Sequence, residues 1–139
     1  MKAINTNLGS TFINFTFSDS DGDVFAHFKM NPTDTKLHAR VRGTDAKLEE
    51  LKKNFADMEN NAENMEKLND AVEDLFCWLF GYDVKECLFG FVSALSVLPD
   101  GTQFYEKVLE AVANGIAPEI AARAEKMSSR LEKYTGDYK

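Results

Sequence analysis

Residues 79–90 read Leu-Phe-Gly-Tyr-Asp-Val-Lys-Glu-Cys-Leu-Phe-Gly, so the triplet Leu-Phe-Gly occurs twice in one short stretch. Glycine has no Cβ atom and can adopt the positive-φ conformation that commonly ends a helix. In each triplet the glycine follows two large apolar residues that a helix would bury at its last turn. We therefore expect a long helix to end at Gly81 and a very short helix to end at Gly90, with both glycines at positive φ.

An apolar repeat lies upstream of the first triplet. Its steps of three and four residues are typical of a coiled-coil seam or of two helices packed together. The polar run Glu59-Asn60-Asn61 has weak helix propensity, so one long helix across residues 44–80 could fold back there into an antiparallel pair. We favour the pair. Asn69 breaks the repeat, whose apolar members are Leu48, Leu51, Phe55, Met58, Ala62, Met65, Val72, Phe76 and Leu79.

The N-terminal part of the chain has a two-residue period instead. Apolar and polar residues alternate in residues 10–17 and again in residues 25–30, the pattern of strands with one buried face. The run Asp19–Asp23 between them is rich in turn-forming residues. Residues 10–30 are therefore predicted to form a β-hairpin.

Helix-start signals follow the hairpin. Asn31-Pro32-Thr33-Asp34 contains residues that cap a helix and a proline that its first turn tolerates. Gly43 should weaken this helix because glycine has low helix propensity. Thr44 is then predicted to cap a renewed helix.

The C-terminal third is less regular. Residues 91–98 are apolar and are compatible with either a buried helix or a strand. Pro99-Asp100-Gly101 predicts a turn, after which a helix should run from Thr102 to Asn114-Gly115. The inner face of this helix should contain Phe104 or Tyr105, Val108, Leu109 and Val112. A last helix should start near Ala117, with Pro118 in its first turn, and run through Ile120, Ala124, Met127 and Leu131.

Length and composition are those of one globular domain. The chain has 139 residues, of which 44% are hydrophobic and 28% charged, and its eleven phenylalanines against one tryptophan predict a core built on phenylalanine. We expect an α+β fold, a mostly α-helical bundle with a small N-terminal β-hairpin. A single domain, residues 1–139, would comprise the hairpin at 10–30, a helical region at 33–134 and a frayed tail at 135–139.

The charge balance excludes some functional classes. A net charge of −7 repels phosphate backbones, so the sequence predicts no nucleic-acid binding. Apolar runs fall far short of the roughly 20 residues that span a bilayer, so we expect no membrane partner. The N-terminus lacks the basic start and apolar stretch of a secretory signal, which predicts a cytoplasmic protein.

The acidic turn is the nearest approach to a metal site. Asp19, Asp21 and Asp23 resemble the start of a calcium loop, which requires glycine at its sixth position and glutamate at its twelfth. Those positions hold Val24 and Met30. We therefore expect a hairpin turn and no metal.

The remaining reactive side chains are isolated. Cys77 and Cys87 lack the close cysteine pairs or histidines of a zinc site and are predicted to be reduced core thiols. His27 should lie on the polar strand face and His38 on a helix, each without a catalytic partner. Since the sequence also has no phosphate loop or nucleophile motif, we expect no cofactor, no catalytic residue and no enzyme.

The stretch around the two triplets resembles a known family. Residues 71–90 read Ala-Val-Glu-Asp-Leu-Phe-Cys-Trp-Leu-Phe-Gly followed by Tyr-Asp-Val-Lys-Glu-Cys-Leu-Phe-Gly. This is similar to the tail assembly chaperones of long, flexible-tailed bacteriophages and their prophage relatives, in which an acidic, aromatic-rich helix ends in Leu-Phe-Gly. There a nine-residue helical turn then ends in Ile- or Leu-Phe-Gly. The chain departs from the family at Asp83-Val84, where Gly-Thr or Gly-Ser is common, and in its extension after Pro99.

The resemblance implies a function. Such a protein is made in the bacterial host cytoplasm during phage morphogenesis, binds the helical tape measure protein, recruits tail tube subunits and is absent from the mature virion. The aromatic residues around the two triplets are candidates for a partner-binding groove. Their alternative role is core packing. The candidates are Trp78, Phe80, Phe89 and Phe91.

Two further hypotheses stay open. Homo-oligomers could form if the repeat from Leu48 to Leu79 pairs between chains instead of within one. Alternatively, the protein could be an acidic inhibitor that blocks a nucleic-acid-binding partner by charge mimicry. A mimic would need a uniform acidic stripe, whereas acids alternate with lysines along Lys47–Lys67.

Overall fold

Two strands and four helices follow one another in the computed structural model, which describes residues 3–136, with side chains to residue 131. This order confirms the α+β class and the mostly helical architecture with an N-terminal hairpin. Residues 137–139 of the predicted tail lie outside the described part, and α4 includes Gly136. The elements are β1 (Ile13–Ser18), β2 (Val24–Met30), α1 (Thr35–Ala56), α2 (Ala62–Phe80), α3 (Lys85–Phe89) and α4 (Phe104–Gly136).

The hairpin forms where the alternating pattern predicts it. β1 and β2 are antiparallel, with Phe15 opposite Phe28, and the side chain of His27 is exposed on the outer face. The Asp19 N–H donates to the Asp23 carbonyl oxygen over 2.9 Å, which closes the predicted turn. Within the turn Gly22 has a φ of +88°, a conformation that favours glycine.

Helix α1 continues through the predicted weak point. The Asp34 side chain caps it by accepting a 3.0 Å hydrogen bond from the Lys36 N–H. The expected break at Gly43 and renewed cap at Thr44 are wrong, since Thr44 is buried and its hydroxyl donates to the Arg40 carbonyl oxygen within the helix. Packing against α2 outweighs the low helix propensity of one glycine, about 1 kcal/mol.

Helices α1 and α2 form the predicted antiparallel pair. The Asn61 side chain caps α2 by accepting a 2.9 Å hydrogen bond from the Asn64 N–H, so the break falls in the polar run. Near the other end of the pair, Arg40 Nε donates to the Leu79 carbonyl oxygen over 2.9 Å and so satisfies a free carbonyl at the end of α2. Buried residues of the repeat, such as Leu48 and Val72, pack within one chain.

The two Leu-Phe-Gly triplets end their helices by different means. Gly81 has a φ of +79° and its N–H donates to the Cys77 carbonyl oxygen, as predicted. Gly90 has a φ of −67°, so the expected positive φ is wrong there. Its backbone instead lies so close to α3 that a Cβ atom would collide with the Glu86 carbonyl oxygen. Position 90 needs glycine because a Cβ atom has no room there, and position 81 needs glycine because its φ is positive.

The segment between α3 and α4 is neither helix nor strand. It consists of turns with one isolated bridge between Val97 and Gln103. The predicted turn at Pro99-Asp100-Gly101 is present, with Gly101 at a φ of +86°. The Leu98 N–H donates to the Thr102 carbonyl oxygen across it over 2.7 Å.

Helix α4 is one helix where two were predicted. The expected end at Asn114-Gly115 and restart near Ala117 are wrong, and Pro118 lies inside the helix. Gly115 does not end the helix; its missing side chain leaves room for the Phe15 ring, whose Cζ would stand 2.5 Å from a Cβ atom. Further along, Arg123 Nη2 donates to the Ser10 and Thr11 carbonyl oxygens over 3.0 and 2.9 Å, which attaches the second half of α4 to the N-terminal segment.

The second half of α4 is largely exposed. Ile120 is half-buried, whereas Ala124, Met127 and Leu131 face solvent, and Met127 is 66% exposed. The first half of α4 packs on the core through the residues predicted for its inner face, and Phe104, Val108 and Val112 are buried.

Phenylalanine rings connect the elements, as the composition predicts. Phe28 on β2 stacks on Phe15 at 4.7 Å and on Phe80 at 4.4 Å between ring centroids. Phe104 at the start of α4 meets the edge or face of Phe17, Phe25 and Phe89. The buried apolar residues form one cluster, which joins the hairpin, α1, α2, α3 and the start of α4.

Candidate functional site

The structure separates the four aromatic candidates. Phe80 and Phe89 are buried, with exposures of 8% and 6%. Phe80 stacks on Phe28, while Phe89 contacts the rings of Phe76 and Phe104 at centroid distances of 5.6 and 5.8 Å. Phe80 and Phe89 therefore pack in the core, and Phe80 also lines a small cavity of about 100 Å³ together with Leu37 and Tyr82.

Trp78 and Phe91 are exposed but belong to different surfaces. Trp78 is 38% exposed and lies in a groove of about 410 Å³ between α1 and α2. There Lys47 Nζ stands 4.6 Å from the centroid of the indole ring, a cation–π contact. Phe91 is 85% exposed and follows the second triplet directly. Its neighbour Val92 lines a different and wider cleft.

This wider cleft, which we name the acidic cleft, has a volume of about 820 Å³. It opens between the hairpin turn, the segment that connects α3 to α4, and the first half of α4. Apart from Lys107, its buried and half-buried lining is apolar and consists of Phe17, Phe25, Val92, Leu98, Phe104 and Ala111.

The exposed lining of the acidic cleft carries mostly negative charge. Among residues 3–131, the half-buried Lys107 is the one basic residue that lines the cleft, and its Nζ is already paired, 3.0 Å from Asp100 Oδ2 and 3.8 Å from Glu110 Oε2. The exposed rim of the cleft, which we call its mouth, also carries the carboxylates of Asp19, Asp21 and Asp23. Among residues 3–131, no basic side chain forms an ion pair with these three carboxylates.

Hydrogen bonds keep the carboxyl group of Asp100 ionised. Its Oδ1 accepts from the Thr102 hydroxyl over 2.6 Å and from the Thr102 N–H over 3.0 Å. These bonds, followed by the bond to Lys107, hold the pKa of the Asp100 carboxyl well below its usual range. Asp100 in turn raises the pKa of Lys107. Both groups therefore stay charged at neutral pH.

Two tight turns build the acidic cleft. Asp19–Asp23 close the hairpin and Pro99-Asp100-Gly101 precede α4, and aspartate is common in both because it favours turns. The sequence predicts each turn only as local structure. Their meeting is set by Phe17 and Phe25 packing on Phe104, a contact between distant parts of the chain.

The isolated reactive groups have structural partners. Cys77 and Cys87 are free and half-buried; Cys77 Sγ accepts from the Val84 N–H, and burial raises the pKa of the Cys87 thiol. Burial also raises the pKa of Tyr82, whose hydroxyl oxygen accepts a 2.9 Å hydrogen bond from the Lys29 N–H. His38 Nε2 lies 2.6 Å from the Pro32 carbonyl oxygen. Within the described residues, no cluster of histidine, cysteine and acidic side chains could hold a metal ion.

Comparison with known proteins adds no relative. No protein-family model, curated protein or solved structure matches the chain. None of the helices within residues 3–136 has the length and apolar character that a bilayer span requires.

Proposed function

We propose that this protein is a non-enzymatic assembly chaperone of a phage or prophage tail. It binds the helical tape measure protein in the bacterial host cytoplasm, recruits tail tube subunits and leaves before the virion is complete. The resemblance of residues 71–90 to that family supports the proposal, together with a helical scaffold that exposes apolar side chains beside the second triplet.

The observation that carries the proposal is the exposure of Phe91. A phenylalanine 85% exposed leaves most of its ring in water, although burying a large aromatic side chain contributes about 1.5–3 kcal/mol. Val97 in the same segment is 71% exposed, so the segment presents more than one apolar side chain. Aromatic residues are enriched where proteins contact one another, so an exposed phenylalanine in this segment suits the binding of another protein.

The charge of the chain fits the same role. A chaperone for a long amphipathic helix has to present apolar surface without aggregating, and a net charge of −7 keeps copies of the protein apart. An apolar cleft with an acidic mouth can shield apolar side chains of a partner helix. This activity requires contact surface and no reacting group.

Co-expression with a tape measure fragment tests the proposal. The wild-type protein should raise the soluble yield of the fragment and co-purify with it. The variant Phe91→Ser should do so less well, whereas Met127→Ser, an exposed apolar residue on α4, should behave as the wild type. The proposal fails if the wild type neither raises the soluble yield nor co-purifies.

The alternative, charge mimicry by an acidic inhibitor, has one observation in its favour. Asp19, Asp21 and Asp23 form an exposed acidic group without ion pairs among residues 3–131. Elsewhere the charges are mixed, as in the ion pair of 3.5 Å between Lys67 and Glu63 on α2. Binding to a DNA-binding protein that disappears above about 0.3 M salt would support the mimic, because salt screens exposed charges.

A further inference from the structure

The acidic cleft combines an apolar interior with a negative mouth, and this combination selects one kind of occupant. We infer that it docks an amphipathic helix of a partner protein whose apolar face is flanked by lysine and arginine residues. The inference rests on the proposed function for the class of partner, a helical protein. It adds the surface that binds the helix and the chemistry by which the helix is recognised.

The interior is already formed for apolar side chains. Phe104 lies 5.2 Å from Phe17 and 5.8 Å from Phe25 between ring centroids, so three aromatic rings from the hairpin and α4 support one another. Val92, Leu98 and Ala111 also line the cleft and are half-buried, which leaves apolar surface for a ligand to cover. A volume of about 820 Å³ lies within the range of ligand pockets, about 300–1,000 Å³.

The mouth specifies the charge of the occupant. The carboxylates of Asp19, Asp21 and Asp23 have no ion-pair partner in residues 3–131, whereas Lys107 is occupied by Asp100 and Glu110. Lysine or arginine residues beside the apolar face of an incoming helix would gain these carboxylates as partners. An acidic helix would meet repulsion from the same groups, so the mouth discriminates by charge.

A second copy of this chain is a poor occupant. The chain has a net charge of −7 and a pI of about 4.8, so a second copy brings more negative charge to an already negative mouth. Like charges brought together in this way disfavour association. Charge complementarity therefore favours a basic partner over self-association.

A pair of synthetic helical peptides provides the direct test. The basic probe carries leucines at helical spacing on one face and lysines on both sides of that face, and its twin has glutamate at every lysine position. Calorimetric titration of the full chain should show binding of the basic probe at least about tenfold tighter than of the acidic twin. The affinity for the basic probe should fall with added salt, since the Debye length shortens from about 10 Å at 0.1 M to about 3 Å at 1 M.

Charge variants locate the binding surface. The triple variant Asp19→Asn, Asp21→Asn, Asp23→Asn keeps the side-chain oxygen that binds the Asp23 N–H while it removes three charges. It should weaken binding of the basic probe by about tenfold. Its matched control removes three exposed acids of α1 and its C-terminal end and should leave the affinity unchanged. The control substitutions are Asp45→Asn, Glu49→Gln and Asp57→Asn.

A steric variant tests the interior. Ala111 lies on α4 in the lining of the acidic cleft, so Ala111→Trp should fill the cleft and abolish binding of the basic probe. Ala113→Trp places the same side chain at an exposed position on the same helix, outside the lining, and should bind as the wild type does.

The outcomes separate this inference from the proposed function. Equal affinity for the two peptides, or unchanged binding by both the triple variant and Ala111→Trp, overturns the inference. Dimerisation of the chain would also overturn the inference if sedimentation shows that it increases with concentration and that Ala111→Trp abolishes it. The occupant of the cleft would then be a second copy. If the tape measure fragment co-purifies equally with the wild type and the triple variant, the chaperone stands and the cleft assignment falls. If the basic probe binds but the fragment does not, the cleft assignment stands alone.

Discussion

Asn69 Nδ2 donates a 2.7 Å hydrogen bond to Glu73 Oε2 one turn further along α2. The two side chains also accept from the backbone of the segment that follows α3, Asn69 Oδ1 from the Leu95 N–H and Glu73 Oε2 from the Ala94 N–H. A segment without helix or strand bonds must satisfy its buried amides elsewhere. This polar pair therefore positions the segment that lines the acidic cleft.

Replacing Asn69 by leucine should destabilise the protein although it restores the apolar repeat. The Leu95 N–H loses its acceptor, and a half-buried amide without a partner costs about 1–3 kcal/mol. Glu73→Gln retains an oxygen that can accept from both donors and serves as the control, with a smaller loss. Urea unfolding measures both variants; an Asn69→Leu protein as stable as the wild type would contradict the role assigned to the pair.

Truncation to alanine should destabilise the protein strongly at Phe80 and hardly at all at Phe91. Phe80→Ala removes a buried ring that stacks on Phe28, so we expect a loss of about 3–5 kcal/mol in the free energy of unfolding. Phe91→Ala removes an exposed ring and should change the stability by less than about 0.5 kcal/mol. Denaturant unfolding of the two variants side by side checks the assignment, and similar losses would refute it.

Two glycines lie inside helices, and replacing each by alanine should change the free energy of unfolding in opposite directions. At Gly115 a Cβ atom would stand 2.5 Å from the ring of Phe15, which is held by stacking on Phe28, so Gly115→Ala should cost about 1–3 kcal/mol. At Gly43 the nearest atom, in the Trp78 ring, is 3.5 Å away, an ordinary contact. Gly43→Ala should therefore stabilise α1 by about 0.5–1 kcal/mol through helix propensity.

Thermal unfolding of both variants tests this pair. The double variant Gly115→Ala, Phe15→Leu should recover part of the loss if the ring contact is its cause. If Gly43→Ala destabilises the protein as much as Gly115→Ala does, both helices require glycine, and the prediction is wrong.

The parts of the fold that the sequence predicts are those with local causes. The hairpin follows from the alternation of apolar and polar residues and from the turn between the strands. The α1–α2 pair follows from the polar run that ends in the Asn61 cap, and the end of α2 follows from Gly81. The errors at Gly43 and Gly115 have a common cause. The low helix propensity of glycine predicts a break at each position, whereas packing against another element keeps each helix continuous.

The candidate site was harder to predict for the same reason. Phe80, Phe89 and Phe91 have similar sequence surroundings, and spacing alone does not show which ring faces the core where the chain turns. The acidic cleft arises from two turns that are distant in sequence and meet through Phe104. The Asp19–Asp23 run was visible in the sequence, but the apolar lining beside it depended on the tertiary fold.

The two triplet glycines should differ in their tolerance of asparagine. At Gly81 the φ of +79° makes alanine cost about 1–2 kcal/mol, and asparagine, which adopts this conformation more readily, should cost less. At Gly90 any Cβ atom meets the Glu86 carbonyl oxygen, so alanine and asparagine should be equally harmful. Unfolding midpoints of the four variants provide the measurement. Recovery by Gly90→Asn relative to Gly90→Ala would mean that conformation, and not space, requires glycine there.

Acid should weaken the turn before α4. The pKa of Asp100 is lower in the folded chain than its unfolded value of about 3.9, because the Thr102 hydroxyl and N–H and then Lys107 bind the ionised carboxylate. This contribution to stability is therefore fully present above the unfolded pKa and is lost as the pH falls through the folded pKa. Thr102→Val removes the hydroxyl bond, the largest single cause, and should raise the pKa of Asp100 towards its unfolded value. Carboxyl carbon NMR across an acid titration measures the change, and an unchanged pKa of Asp100 in the Thr102→Val variant would contradict the role given to the hydroxyl.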